Sequence, residues 1–473
     1  MAAALKPVDP ASNPYLNGVF APVDDGLDVA DLPVLGKIPE DLRGAYLRNG
    51  PNTKFPPLGS YTYPLDGDGM IHGLWLADRR ARYRNRYVLT KGLKAEMRAG
   101  RALYGGLMTP AVPSAELAGP DPDPEGFKLL PDINIVRHAH RFLALAEGTA
   151  PYEVTKELDT VGRYDFAGAM PLGMCAHPKI DPATGEMILF RYGLEEPYLY
   201  WAAVGPDGRV IRPPEVIAEI DRGYMIHDFL ITEDYLVLVI CPAAFDLSLA
   251  AKGASPLAWE PDRGVKIAVI PRRGQAEKVR WVTADSFWCW HYANAWQDNG
   301  EIVAAFPWWS HFSLGAAGGP PPKGRFVRAR IDPAAGSLSL ETLDDRTTEF
   351  PRIDVRRQGQ KTRYAMVSHR LSPALRGGSF DELLRFDLAK GTTESHRFPG
   401  QAIGEAVFAP KAGRSEEKAG YVLTFSTDLA TMESSFVILD VEDFSGEPAA
   451  VVKLPRRVPL GLHGNWFPTK SPQ

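Results

Sequence analysis

With 473 residues, 45% hydrophobic and 23% charged, the chain has the make-up of an ordinary globular protein and the length for a large core. Its net charge of −5 comes from interspersed acidic and basic residues, with no basic stripe and no alternation of aromatic and Lys/Arg residues, which argues against nucleic-acid binding. No run approaches 18 apolar residues, residues 1–10 lack the basic and apolar parts of a signal peptide, and three widely spaced cysteines make no disulfide framework, so a reducing, cytoplasmic setting is expected.

The 44 Gly and 42 Pro punctuate the whole chain. Early on, residues 91–102 form the best helical candidate, with Leu93, Met97 and Leu103 as its apolar positions. The stretch 110–126, rich in Pro, Ala and Gly, reads as a loop, as does 308–323 with its Gly-Gly-Pro-Pro-Pro. Between and beyond them lie short segments of strand character, such as Glu186–Phe190, Tyr235–Ile240, Tyr421–Phe425 and Ser435–Leu439. Turn signals separate them. Asp181–Gly185, Asp332–Gly336 and Asp387–Gly391 share an Asp-x-x-x-Gly pattern after a strand, and are expected to be equivalent hairpin turns of a repeated unit.

Short strands and tight turns over so long a chain point to an all-β sandwich, barrel or propeller. Four of the 10 histidines stand in distinctive settings: His177, His227, His291 and His463, separated by 50, 64 and 172 residues. No local zinc motif has such spacing. A propeller blade takes roughly 40–50 residues. His177, His227 and His291 would then fall on successive blades, and His463 about three blades on. The innermost strands of all blades meet at the axis, where one ion could collect all four imidazoles.

Four neutral imidazoles suit iron, copper, nickel or zinc. Metal-bound histidines need an acceptor for the second ring N–H. Glu147, Glu349 and Glu405 are the acids set in apolar strand contexts, where an unpaired carboxylate would be costly. Cys175 and Cys289 each precede a histidine by two residues, but small core-filling thiols are the better reading. His72, His138, His140, His311, His369 and His396 are expected to be structural or exposed.

These residues sit in segments that resemble the carotenoid cleavage oxygenases, nonheme iron enzymes that split conjugated alkenes with O2, in the bacterial type. The segments are residues 42–51 (LRGAYLRNGP), 66–71 (DGDGMI), 176–182 (AHPKIDP), 226–229 (IHDF), 291–295 (HYANA), 349–351 (EFP), 404–405 (GE) and 462–466 (LHGNW), in that order over nearly the whole chain. The resemblance implies a single domain over 1–473, a seven-bladed β-propeller with a helical or loop-built dome over the iron-bearing end and dome insertions near 91–130 and 308–323. It also implies one Fe(2+) per chain on His177, His227, His291 and His463, with Glu147 orienting His227, Glu349 orienting His291, Glu405 orienting His463, and no acid on His177. The expected reaction adds O2 across a double bond and gives two carbonyl products. Where the family often carries Asn-Thr-Asn, this chain has Asp132-Ile133-Asn134; Ile133 takes the place near an open iron position.

The stilbene- and isoeugenol-cleaving branch carries a Tyr and a Lys that hold the substrate phenol. By that resemblance their positions are Leu107 and Ala146 here, which favours a carotenoid or apocarotenoid over a stilbene or phenylpropenoid. A polyene tunnel is expected to be lined by Leu107, Ala146, Phe287, Trp288, Phe306 and Trp308, with Trp290 and Trp309 nearby. Its mouth, over residues 103–112, is expected to make transient contact with a membrane surface. Two rival readings are a propeller hydrolase, which normally uses carboxylate-bound metal, and a non-catalytic propeller binding an apolar ligand. An isomerohydrolase of the same family would keep the same four histidines.

Overall fold

A strand with two apolar faces must be covered on both, and stacking sheets face to face around an axis does this without leaving a long free edge. The computed structural model, which describes residues 5–120, 122, 127–171, 173–250, 255–273, 278–314 and 321–469, arranges the strands in seven such sheets. Blade I holds five strands, blades II to VI four each, and blade VII a longer sheet. Blades II to VI start with Asn134–His138, Lys179–Ile180, Leu230–Ile231, Asn294–Asp298 and Thr348–Arg352. First strands of neighbouring blades touch, as Leu230–Ile231 does Asn294–Asp298, and Gly464–Pro468 does Asn134–His138, so these strands ring the axis.

Burial follows from the stacking. The third strand of blade III, Leu199–Val204, is buried at every residue, whereas no residue of the outermost, Val210–Val216, is fully buried. Aromatic side chains fill the seams between blades: Tyr46 of blade I packs against Phe425 and Phe436 of blade VII, and Phe326 stacks on Phe386 between blades V and VI. The two ends of the chain close the ring twice. Gly464–Pro468 pairs with Gly44–Arg48 in blade I, and Val34–Gly36 pairs with Ala450–Lys453 in blade VII.

The three Asp-x-x-x-Gly segments are the same turn chemically. In each, the glycine N–H donates to the aspartate carbonyl, the aspartate side chain accepts a backbone N–H two residues on, and the glycine is left-handed (φ 73°, 67° and 67°). They are not equivalent in the repeat, however. Asp181–Gly185 joins the first two strands of blade III, while the other two turns join the third and fourth strands of blades V and VI. Turn chemistry reports the local bend and carries no information on its place in a blade.

Between blades I and II the chain leaves the propeller and builds a cap. Its helix α1 spans Lys91–Ala99, capped by the Thr90 side chain on the Leu93 N–H and ended by left-handed Gly100. Leu93 is buried, but Met97 points to solvent. Glu96 turns inward instead, because it finds Lys128 and the Leu103 N–H. The stretch 110–126 contains a short helix, Ala115–Ala118, and partly lies outside the described residues. In 308–323, Trp308 and Trp309 belong to the strand Glu301–Trp309, and 315–320 lie outside the described residues. An additional hairpin, Ala243–Phe245 with Leu257–Trp259, comes from blade IV. No helix among the described residues is long and apolar enough to cross a membrane.

Candidate metal centre

His177, His227, His291 and His463 each lie one to three residues before the axial strand of their blade, III, IV, V and I respectively. That position turns the side chain over the end of the axis. All four are buried, and their ligand atoms fall within 4.8 Å of one another. The Nε2 atoms are neighbours in a chain: His177 to His227 is 3.1 Å, His227 to His291 is 3.1 Å, and His291 to His463 is 3.0 Å.

The other ring nitrogen fixes what those contacts mean. His291 Nδ1 lies 2.6 Å from Glu349 Oε2, and His463 Nδ1 lies 2.9 Å from Glu405 Oε1. Glu147 Oε1 faces His227 Nδ1 in the same way. An ionised carboxylate accepts only, so each of these Nδ1 carries the proton and each Nε2 presents its lone pair inward. Converging lone pairs repel unless a cation sits between them. With an imidazole nitrogen about 2.1 Å from a divalent ion, two ligands at right angles stand about 3.0 Å apart. The measured separations match, and the four buried histidines are able to bind one metal ion. Among the described residues, no carboxylate contacts His177.

Each glutamate is itself held. Glu147 Oε2 accepts from the Tyr192 hydroxyl at 3.2 Å, and Glu349 Oε1 from Trp309 Nε1 at 3.0 Å. Glu405 accepts the Gly464 N–H at 2.9 Å and pairs with Arg352 at 3.5 Å. Glu147 comes from blade II, Glu349 from VI and Glu405 from VII, so every blade contributes one histidine or one glutamate.

Burial pushes the His177 imidazole well below its ordinary range, and the neighbouring imidazoles add to this; burial likewise holds His463 down at about 4 against the pull of Glu405. Both are neutral donors at pH 7. Burial would raise Glu405, but Arg352, His463 and the Gly464 N–H outweigh it and hold the carboxyl at about 2. Burial also lowers His227, and the Glu147 carboxylate reverses the sign. The thiols beside the ligands lie outside the converging group: burial pushes Cys175 up to about 12, and Cys289 Sγ donates to the His291 carbonyl. The other six histidines stand apart from the cluster; His72 bonds Tyr83, His138 the Gly185 carbonyl, and His369 the Thr347 carbonyl.

A second set of groups, missed in the sequence, braces the ligand segments. Lys179 lies 2.6 Å from Asp228 Oδ1, and the Tyr292 N–H donates to Asp228 Oδ2 at 3.1 Å. This joins the segments of the first three histidines, each through a residue one or two positions after its ligand. Asn49 donates to the carbonyls of Pro131 and Asn134, and the His463 N–H donates to the Ile133 carbonyl, so segment 131–134 is tied to the fourth ligand. Phe350 packs its ring on His291 and His463 at 5.5 and 5.3 Å, from a left-handed backbone (φ 51°) that is costly for a phenylalanine. Its N–H donates to Glu349, so one unusual residue serves both a ligand and that ligand's acceptor.

Two cavities approach the centre. One, of about 400 Å³, is lined by His177, His291 and His463 and by Lys179 and Arg352. The other, of about 500 Å³, lies under the cap and is lined by Ile133, Ala146, Glu147, Leu107 and the hairpin residues Phe245 and Leu257. Leu107 and Ala146 therefore do face the cap cavity. Phe287, Trp288, Phe306 and Trp308 do not. The first three are buried between blades IV and V, with Phe287 against Phe306 and Trp288 against Trp290 and Phe312, while Trp308 carries the Arg325 guanidinium on its face. Nearness in sequence to His291 put them close to the metal site, but their side chains turn into the seam. Trp309, also expected at the tunnel, is the donor to Glu349.

Comparison with known proteins agrees with this geometry. The family model described as retinal pigment epithelial membrane protein (RPE65) matches residues 20–468. The chain is 32% identical over 513 residues to a carotenoid cleavage oxygenase of Mycobacterium tuberculosis, covering 97% of this chain and 98% of the relative. It is 32% identical over 485 residues to resveratrol cleavage oxygenase 1 of Aspergillus fumigatus, covering 96% and 95%. Among solved structures, the lignostilbene dioxygenase of Pseudomonas brassicacearum superposes with a TM-score of 0.88 at 28% identity, covering 97% and 99%.

Proposed function

The chain belongs to the retinal pigment epithelial membrane protein family, the iron-dependent carotenoid cleavage oxygenases, and from that membership we propose that it is a nonheme Fe(II) dioxygenase of carotenoids or apocarotenoids. The whole chain acts as one domain, with His177, His227, His291 and His463 holding a single Fe(II). Glu147, Glu349 and Glu405 keep the proton on Nδ1 of three ligands and offset the metal charge. The convergence of the four Nε2 atoms at 3.0–3.1 Å carries the reading. A binding module has no need to bury four mutually repelling lone pairs, and a hydrolytic propeller normally uses carboxylate ligands.

Bound there, Fe(II) supplies the activation of O2 that the reaction requires. In the balance, the C=C and O–O bonds break and two C=O bonds form, with no external reductant. The chain's own residues do the rest. The cap cavity takes the alkene, Ile133 fills the space beside the ligand set with an apolar group, and Phe350 keeps water from the His291 and His463 rings. Val112, Phe127 and Leu194 line this cavity and are 62%, 50% and 49% exposed, forming an apolar rim. That rim supports transient contact with a membrane surface, from which a polyene would be drawn.

The apolar Leu107 and Ala146 in the cap cavity support a polyene. Stilbene cleavage is the second reading, favoured by the close superposition on a lignostilbene dioxygenase. Anaerobic reconstitution with Fe(II), followed by β-apo-carotenal or resveratrol in air, separates them. Two carbonyl products from the polyene alone are expected; turnover of the stilbene alone overturns the substrate, and turnover by metal-free protein overturns the mechanism.

A further inference from the structure

We infer that Asp132 and Thr149 form a polar docking point inside the cap cavity for an oxygen atom of the substrate, which makes oxygen-bearing polyenes the preferred class over hydrocarbons. This rests on the alkene-cleaving reading above. Both residues line the cavity, on either side of the Ala146–Glu147 segment in sequence. Asp132 Oδ2 and Thr149 Oγ1 are buried and have no hydrogen-bond partner among the described residues. Asp132 is 1% exposed. Leaving a buried polar atom unpaired is costly, so two in the wall of one cavity mark a place where a ligand oxygen completes the bonding.

The local structure fixes Asp132 in place. The Asp132 N–H donates to the Leu130 carbonyl, and the preceding Pro131 carbonyl accepts from Asn49. Gly69 allows the close approach, because a Cβ there would collide with the Pro131 oxygen. Burial, with the Asp66, Asp68 and Glu147 carboxylates around it, holds the Asp132 carboxyl well above the usual range. This favours the protonated form, whose O–H can donate a hydrogen bond, and Thr149 can donate or accept. The nearby Lys128 is not free to take this role, since Asp68 at 2.5 Å and Glu96 at 2.6 Å already hold it.

The test is binding, read by tryptophan fluorescence quenching in the full chain without turnover. The probes are β-apo-8′-carotenal and the hydrocarbon of equal length in which a methyl replaces the aldehyde. The wild-type protein is expected to bind the aldehyde about tenfold more tightly. Asp132→Leu is expected to abolish that preference, and Asp132→Asn, which keeps a donor, to restore most of it. Thr149→Val, a near-isosteric change, should reduce the preference even if Asp132→Leu does not fold. Equal affinities for the two probes in the wild type, or a preference unchanged in both Asp132→Leu and Thr149→Val, would overturn the inference. Loss of the Fe(II)-dependent cleavage with the binding preference intact would instead count against the enzymatic reading alone.

Discussion

The axial centre and the cap cavity are built on opposite plans. At the axis, seven blades each supply one histidine or one glutamate: the histidines from one to three residues before an axial strand, Glu349 from within one, Glu405 from between two short strands, and Glu147 from just after the second strand of its blade. Under the cap, the wall is assembled from non-repeating loops, a single helix and one extra hairpin. Repetition gives a fixed geometry for the metal. Irregular loops give a wall whose character is set by single residues, such as Leu107, Ala146 and Asp132.

The comparison breaks most directly at a ligand. His291→Ala should remove iron binding almost completely, while His311→Ala, outside the cluster, should keep wild-type occupancy by elemental analysis; equal occupancy in both would mean the ligands are elsewhere. Next comes the acceptor layer. Glu349→Gln is expected to lower iron affinity or activity by roughly 10–100-fold, and an unchanged affinity would show that the His291 tautomer is set by something other than Glu349. The brace between ligand segments ties them together through Asp228. Asp228→Ala leaves the largely buried Lys179 without its partner and should destabilise the fold by about 1–3 kcal/mol, seen as a lowered unfolding midpoint.

The smallest expected effect belongs to the cap. Asp66 accepts the Thr62 and Leu107 N–H groups, but burial still pushes its carboxyl up to about 6. A raised acid contributes stability that is fully present below the ordinary carboxylate range and lost as pH rises through about 6. Lowering the pH from 7 to 5 should therefore stabilise the wild type relative to Asp66→Asn, by on the order of 1–2 kcal/mol. Glu405, held at about 2, stays ionised across that window, so the change reads the cap and not the axis. A stability gap independent of pH would contradict it.

The same division governs what could be read in the chain. Histidines in settings such as Met-Ile-His-Asp-Phe and glutamates in apolar strands are visible because the chemistry is costly anywhere else. Strand-and-turn punctuation was enough to suggest how distant ligands converge. Where a turn sat within its blade was not visible, since Asp-x-x-x-Gly encodes a bend only. Nor was the inward face of helix α1: Glu96 is buried over Met97 because Lys128 comes from a segment about 30 residues away to meet it. The aromatic cluster before His291 failed for a related reason. Residues 285–293 run between two strands, where nearness to His291 does not set which way a side chain turns, and Phe287 and Trp288 both pack into the seam. Asp228, Tyr292 and Lys179 did carry a signal, a regular offset of one or two residues from a ligand.

On the proposed function, four blades hold a single iron through imidazoles alone, and the other three supply the carboxylates behind those ligands. Anaerobic titration with Fe(II), followed by iron X-ray absorption on the loaded protein, tests it most directly. One equivalent of iron with four imidazole nitrogens at about 2.1 Å and no sulfur ligand is the predicted result. More than one tightly bound iron per chain, or a first coordination sphere containing thiolate or fewer than four imidazoles, would contradict it.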